Sequence, residues 1–118
     1  MRALVTTTLG GPLEVAELDD PTPGPGEVVV DVEACGICGS DLHLVDALPL
    51  DGHVLGHELA GRVAAVGDGV DGWSEGDPVM PLSLATCGQC EACRSGRPRK
   101  CTAALMVGVE TPGGYAEY

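Results

Sequence analysis

Residues 35–58 read CGICGSDLHLVDALPLDGHVLGHE, and the rest of the chain is organised around them. A thiol, a hydroxyl, an acid and an imidazole follow one another closely in Cys38, Ser40, Asp41 and His43, and the triplet Gly56-His57-Glu58 closes the stretch. Zinc favours thiolate and imidazole ligands, and a catalytic zinc keeps three protein ligands and one open position. Cys38 and His57 are two ligands of that kind, and Glu58 offers an oxygen beside them. A working site also needs a group to move a proton and a group to hold the ligating imidazole; Ser40, His43 and Asp41 are the right types. Cys38 and His57 by themselves read somewhat more readily as a packed thiol and a satisfied core histidine. Their neighbours turn the reading toward a metal.

The 118 residues fit one domain. Eighteen Gly and nine Pro favour strands and turns over helices. With no Phe, one Trp and two Tyr, Val, Leu and Ala must fill the core. A net charge of −12 argues against nucleic-acid or anionic-membrane partners, since phosphates are repelled. No stretch approaches the ~20 apolar residues of a membrane span. The opening MRALVTTTLGG has only Ala3-Leu4-Val5 as an apolar run, short of a signal peptide's ~7–15. Six cysteines in such a chain suggest metal before disulfides and a cytoplasmic location.

Upstream of the central stretch, residues 2–8 predict a strand, and LEVAEL, Leu13 to Leu18, alternates as a half-exposed strand does. DDPTPGPGE from Asp19 to Glu27 is a proline-rich turn. EVVVDVEAC then alternates, with Val28, Val30, Val32 and Ala34 expected on one face, and delivers the chain to Cys38. GSDLHLVD predicts a short helix that Ser40 or Asp41 can cap. Downstream, HELAGRVAAVG is open by pattern, since Leu59, Arg62, Val63 and Val66 fit a helix while Gly61 and the valines favour a strand. DPVMPL reads as a short strand and GGYAEY as a strand-like alternation. Cys35 is expected to be a packed thiol pointing away from Cys38, His53 to be solvated in a polar turn, and Trp73 to cover the core edge.

Cys87, Cys90, Cys93 and Cys101 form C-x2-C-x2-C-x7-C within the loop 85–102. Two-residue gaps let successive thiolates turn onto one ion, and the longer gap brings in the fourth. Four thiolates leave no position for a substrate, so a zinc here is structural; an iron-sulfur cluster or redox-active thiols are the alternatives. Gly67 to Gly72, GDGVDG, satisfies G-x-G-x-x-G. The WSEGDPV that follows cannot open a helix, and Asp68 and Asp71 would repel a pyrophosphate, so it reads as a turn.

CGICGSDLH followed by LGHELAGRVAAVG, together with the four-cysteine spacing, resembles the zinc-dependent alcohol dehydrogenases of the medium-chain dehydrogenase/reductase family. The resemblance runs along nearly the whole chain. It implies a mainly β fold, a partly open GroES-like β-barrel with short helices and a zinc-binding lobe over 85–102, residues 1–118 forming the catalytic domain and HELAGRVAAVG one of its strands. It implies one catalytic zinc, held by Cys38 and His57, with Glu58 either ligating or tuning it, and one structural zinc on Cys87, Cys90, Cys93 and Cys101. Ser40 then polarises the substrate hydroxyl, Asp41 orients the ligating His57, and His43 ends a proton relay to solvent. The implied reaction oxidises a small alcohol to an aldehyde or ketone with NAD or NADP. That cofactor binds a domain absent from this chain, as is the remaining zinc ligand, and the full-length enzyme is expected to be a homo-oligomer. Gly39 stands where some relatives place a cationic or imidazole side chain against the cofactor phosphates. The alternative is a stand-alone zinc-stabilised binding module or a thiol or metal sensor, which the presence or absence of a downstream strand–G-x-G-x-x-G–helix unit distinguishes.

Overall fold

A computed structural model describes residues 1–47 and 51–118, and its strands pair as three antiparallel sheets. In the first, β1 (Arg2–Val5) lies against β2 (Glu14–Glu17). The second has the order β3-β4-β5, formed by Val28–Gly36, Glu58–Val66 and Pro78–Val79. The third pairs β6 (Leu84–Ala85) with β7 (Leu105–Met106). Helix α1 (Gly39–Ala47) fills part of the excursion between β3 and β4, and a single turn, α2 (Glu91–Arg94), sits in the cysteine lobe.

The first two sheets are laced together rather than closed into a barrel, in keeping with a partly open GroES-like fold. Val5 bridges Val54 and Ala3 bridges Ala116. The last residues run between the sheets: Leu4 donates to Tyr115 O at 2.7 Å, Glu117 to Arg2 O at 3.1 Å, and Val32 to Glu117 O at 2.9 Å. Here GGYAEY makes bridging contacts in place of a full strand. Its Glu117 carboxylate also takes the Arg2 backbone N–H at 2.7 Å and the Arg2 guanidinium at 2.6 Å. Ala3, Val5 and Val54 form the core under this crossing, with Ala16, Leu18, Tyr115 and Ala116 packed on them. Leu55 is fully buried beside them.

Several local expectations shift. In β3 the register slips between Val29 and Val30 and again between Val32 and Ala34. The first slip skips Ala64 of β4 and the second skips Glu33 of β3. The extra residue at Glu33 offsets the alternation, so Ala34 is exposed, while Val29, on the face opposite Val28, Val30 and Val32, is the buried one. Ala16 of β2 and Leu18 just after it pack on the core, while Val15 is exposed. Trp73 does not cover the core: it is 51% exposed. GDGVDG is indeed a turn, and it packs on the proline-rich one. Gly67 N–H donates to Glu27 O, and a Cβ on Gly67 would overlap Gly24 O. The exposed surface is 7394 Å², against about 6000 Å² for a folded monomer of this mass. Leu9, Leu42, Met80 and Leu82 contribute to that excess as exposed apolar side chains.

Candidate functional site

The antiparallel register of β3 and β4 assembles the first cluster. Gly36 lies opposite Glu58, so Cys38, two residues beyond one partner, and His57, one residue before the other, emerge at the same end of the sheet. The ligand atoms of Cys38, His57 and Glu58 lie within 4.8 Å of one another. Gly36 leaves room for the acid, since a Cβ there would stand 2.8 Å from Glu58 Oε2. Donors ~2.0–2.3 Å from one zinc lie roughly 3.3–3.8 Å apart in a tetrahedron. This cluster therefore fits a zinc held by three protein ligands with a position to spare.

Helix α1 begins directly after Cys38, and Asp41 closes its first turn. Asp41 Oδ2 accepts the Cys38 backbone N–H at 2.8 Å, the back-reaching half of a capping box. The carboxylate is 3% exposed, so it needs such partners. Its other oxygen, Oδ1, stands 3.3 Å from His57 Nδ1, and both atoms are buried with no aligned hydrogen bond among the described residues. On the far side of the ring, Ser40 Oγ is 3.5 Å from His57 Nε2. Ser40 and His43, three residues apart on α1, share one helix face, and both are exposed.

Tyr115 was not legible from local pattern. Its hydroxyl donates to Asp41 Oδ2 at 2.8 Å across 74 residues of sequence. Burial and then the hydrogen bond to the Asp41 carboxylate raise its pKa well above the ordinary phenol value, so it stays a donor. The glycines around it are what admit it. Gly56 has φ +95°, and a Cβ there would lie 2.7 Å from the Tyr115 ring. A Cβ on Gly113 would lie 2.4 Å from the carbonyls of Leu55 and Gly56. Cys35 is the packed thiol expected: half-buried, outside the metal cluster, its pKa raised chiefly by burial. His53 is less solvated than expected. Its backbone exchanges hydrogen bonds with Thr6, and its Nε2 is buried without a partner among the described residues.

The second cluster brings together all four lobe cysteines, with sulfur atoms within 4.8 Å of one another. Cys90 and Cys93 Sγ are 3.5 Å apart, as are Cys101 and Cys87. That spacing fits one tetrahedral ion at ~2.3 Å Zn–S. It does not fit a multi-iron cluster, whose thiolates sit on separate irons. Backbone N–H groups point at the sulfurs: that of Cys90 lowers Cys87, and that of Cys93 lowers Cys90 to about 6. Desolvation pushes Cys93 up to about 12. Neither α2 nor the 3-10 turn at Pro98–Lys100 contains a buried residue.

A family model described as the alcohol dehydrogenase GroES-like domain matches residues 24–118. L-threonine 3-dehydrogenase of Pyrococcus horikoshii is 40% identical over 100% of this chain and 36% of its own length. Among solved structures, an NAD-dependent alcohol dehydrogenase is 41% identical with a TM-score of 0.87, over 99% of this chain and 36% of that one. The cobalt- and zinc-bound thermostable alcohol dehydrogenase of Pyrobaculum aerophilum is 38% identical with a TM-score of 0.86, over 99% of this chain and 37% of that one. The chain spans about a third of the length of these relatives. Among the described residues, no helix is long and apolar enough to cross a membrane.

Proposed function

The chain belongs to the alcohol dehydrogenase GroES-like domain family, and on that premise we propose that it is the catalytic domain of a zinc-dependent dehydrogenase. The reaction is oxidation of an alcohol to an aldehyde or ketone, with NAD or NADP accepting the hydride. The observation that carries this reading is the convergence of Cys38, His57 and Glu58 within 4.8 Å at the mouth where Asp41 and Ser40 flank the His57 ring. When bound there, a zinc ion supplies Lewis acidity that makes an alcohol proton easier to remove.

This chain's own residues do the rest. Asp41 faces Nδ1 of His57 and so leaves Nε2 free toward Ser40. Ser40 Oγ takes the hydroxyl proton and passes its own onward. His43, exposed on the same face of α1, releases the proton to solvent. Cys87, Cys90, Cys93 and Cys101 hold a second, structural zinc that organises the lobe 85–102. The nicotinamide cofactor is expected to bind a separate nucleotide-binding domain. L-threonine, the substrate named for the P. horikoshii relative, and simple secondary alcohols are the first candidates, and the working enzyme is a homo-oligomer in the cytoplasm.

Reduction of NAD or NADP by the full-length protein, screened against these alcohols, tests the reading together with Ser40→Ala. A positioned proton-transfer group is worth roughly 10²–10⁴ in rate, so the substitution should lower kcat by about that range with zinc content unchanged. Full turnover by the zinc-loaded Ser40→Ala protein would refute the proton path.

A further inference from the structure

The Tyr115 hydroxyl has one proton and two acceptors within reach: Asp41 Oδ2 at 2.8 Å and Gly36 O at 3.3 Å. The carboxylate is nearer and charged, and it takes the proton. Cys38 N–H donates to the same oxygen at 2.8 Å. Both donors therefore fall on Oδ2, and Oδ1 is left for His57 Nδ1, 3.3 Å away and without another partner among the described residues. One bond alone would let the carboxylate pivot about it; two fix its plane.

We propose that Tyr115 is a positioning residue: by locking Asp41 it fixes His57 as the Nδ1–H tautomer, with Nε2 presented toward Cys38 and Ser40. A small shift of the ring or carboxylate brings Nδ1–H onto Oδ1, whereas the other tautomer would set a lone pair against a carboxylate. The consequence for metal affinity rests on the zinc reading of the site; the tautomer itself does not. A purely structural Tyr115 would only satisfy a buried charge. Its loss would lower the melting temperature and leave the histidine unchanged.

Tyr115→Phe keeps the ring in its notch at Gly56 and removes only the hydroxyl. Nitrogen-15 NMR of the metal-free full-length protein reads the His57 tautomer, and cobalt(II) titration against a competing chelator reads affinity at the Cys38 cluster. Wild type should show the Nδ1–H form, and Tyr115→Phe a mixture. Cobalt(II) affinity should fall about tenfold, the low end for outer partners of a ligating histidine, because Tyr115 acts through Asp41. An unchanged tautomer in folded Tyr115→Phe would overturn the proposal, whatever the melting temperature does. A tautomer shift in a protein that binds no metal at Cys38 would uphold it and sink the dehydrogenase reading instead. If the variant does not fold, the wild type decides: a Tyr115 hydroxyl proton protected from exchange supports the lock, and a freely exchanging one overturns it.

Discussion

Replacing Cys101 by Ser should unfold the cysteine lobe and leave the sheets standing. The lobe has little else to hold it. Its helical turn α2 is four residues long, and isolated helices below ~12–15 residues are marginal in water. Neither that turn nor the one at Pro98–Lys100 buries a side chain. The remaining order comes from bonds within the loop, such as Arg94 N–H to Cys90 O at 3.0 Å and Arg97 N–H to Ala92 O at 2.8 Å. Structural zinc contributes ~10–16 kcal/mol to small modules at neutral pH. One thiolate of four carries about a quarter of that, near 3 kcal/mol, or a factor on the order of 10² in metal affinity. Trypsin reports the result directly, because Arg94, Arg97, Arg99 and Lys100 are four of the six basic residues in the chain. In Cys101→Ser, cleavage after Arg94, Arg99 and Lys100 should accelerate strongly, while cleavage after Arg62 in β4 stays slow. A chelator should produce the same pattern in the wild type. If lobe cleavage in Cys101→Ser matches the wild type, metal does not hold the lobe and the four-cysteine assignment fails.

The Cys38 cluster should be separable from the lobe by metal analysis: Cys38→Ala should take the full-length protein from about two zinc ions per chain toward one, and an unchanged value would break that assignment. Gly113→Ala places a Cβ 2.4 Å from two backbone carbonyls. It should cost about 1–3 kcal/mol in denaturant unfolding and weaken metal binding at the Cys38 cluster as Tyr115 is pushed off Asp41. Glu117 has its pKa lowered first by the Arg2 backbone N–H and then by the guanidinium. Its contribution to holding the C-terminal segment on β1 is present above the ordinary carboxylate pKa and is lost as pH falls through the lowered one. Hydrogen exchange at Leu4 N–H and Glu117 N–H should accelerate in that acid window in the wild type. In Glu117→Gln the exchange should be faster already at neutral pH.

Much of this protein was legible from residue type and local spacing. Cys87, Cys90, Cys93 and Cys101 lie close enough in sequence that a short loop can wrap them on one ion, so their convergence needs no knowledge of the fold. The pairing of Asp41 with His57 came from the family resemblance carried by Cys38-Gly39-Ser40-Asp41 and Gly56-His57-Glu58, not from spacing alone. Gly67 to Gly72 could be dismissed as a phosphate loop because the acids and the absent helix are local facts. What only the tertiary structure decided lies where side-chain direction depends on register or on a distant crossing. The extra residue at Glu33 in β3 carried Ala34 off the face that the alternation assigned to it, since one added residue reverses every side chain after it, and Val29 on the other face is the buried one. Trp73 stands 51% exposed, which composition cannot show. Tyr115 reaches Asp41 across 74 residues, and it does so because Gly56, Gly113 and Gly114 lack the Cβ atoms that would keep the last segment away from the site.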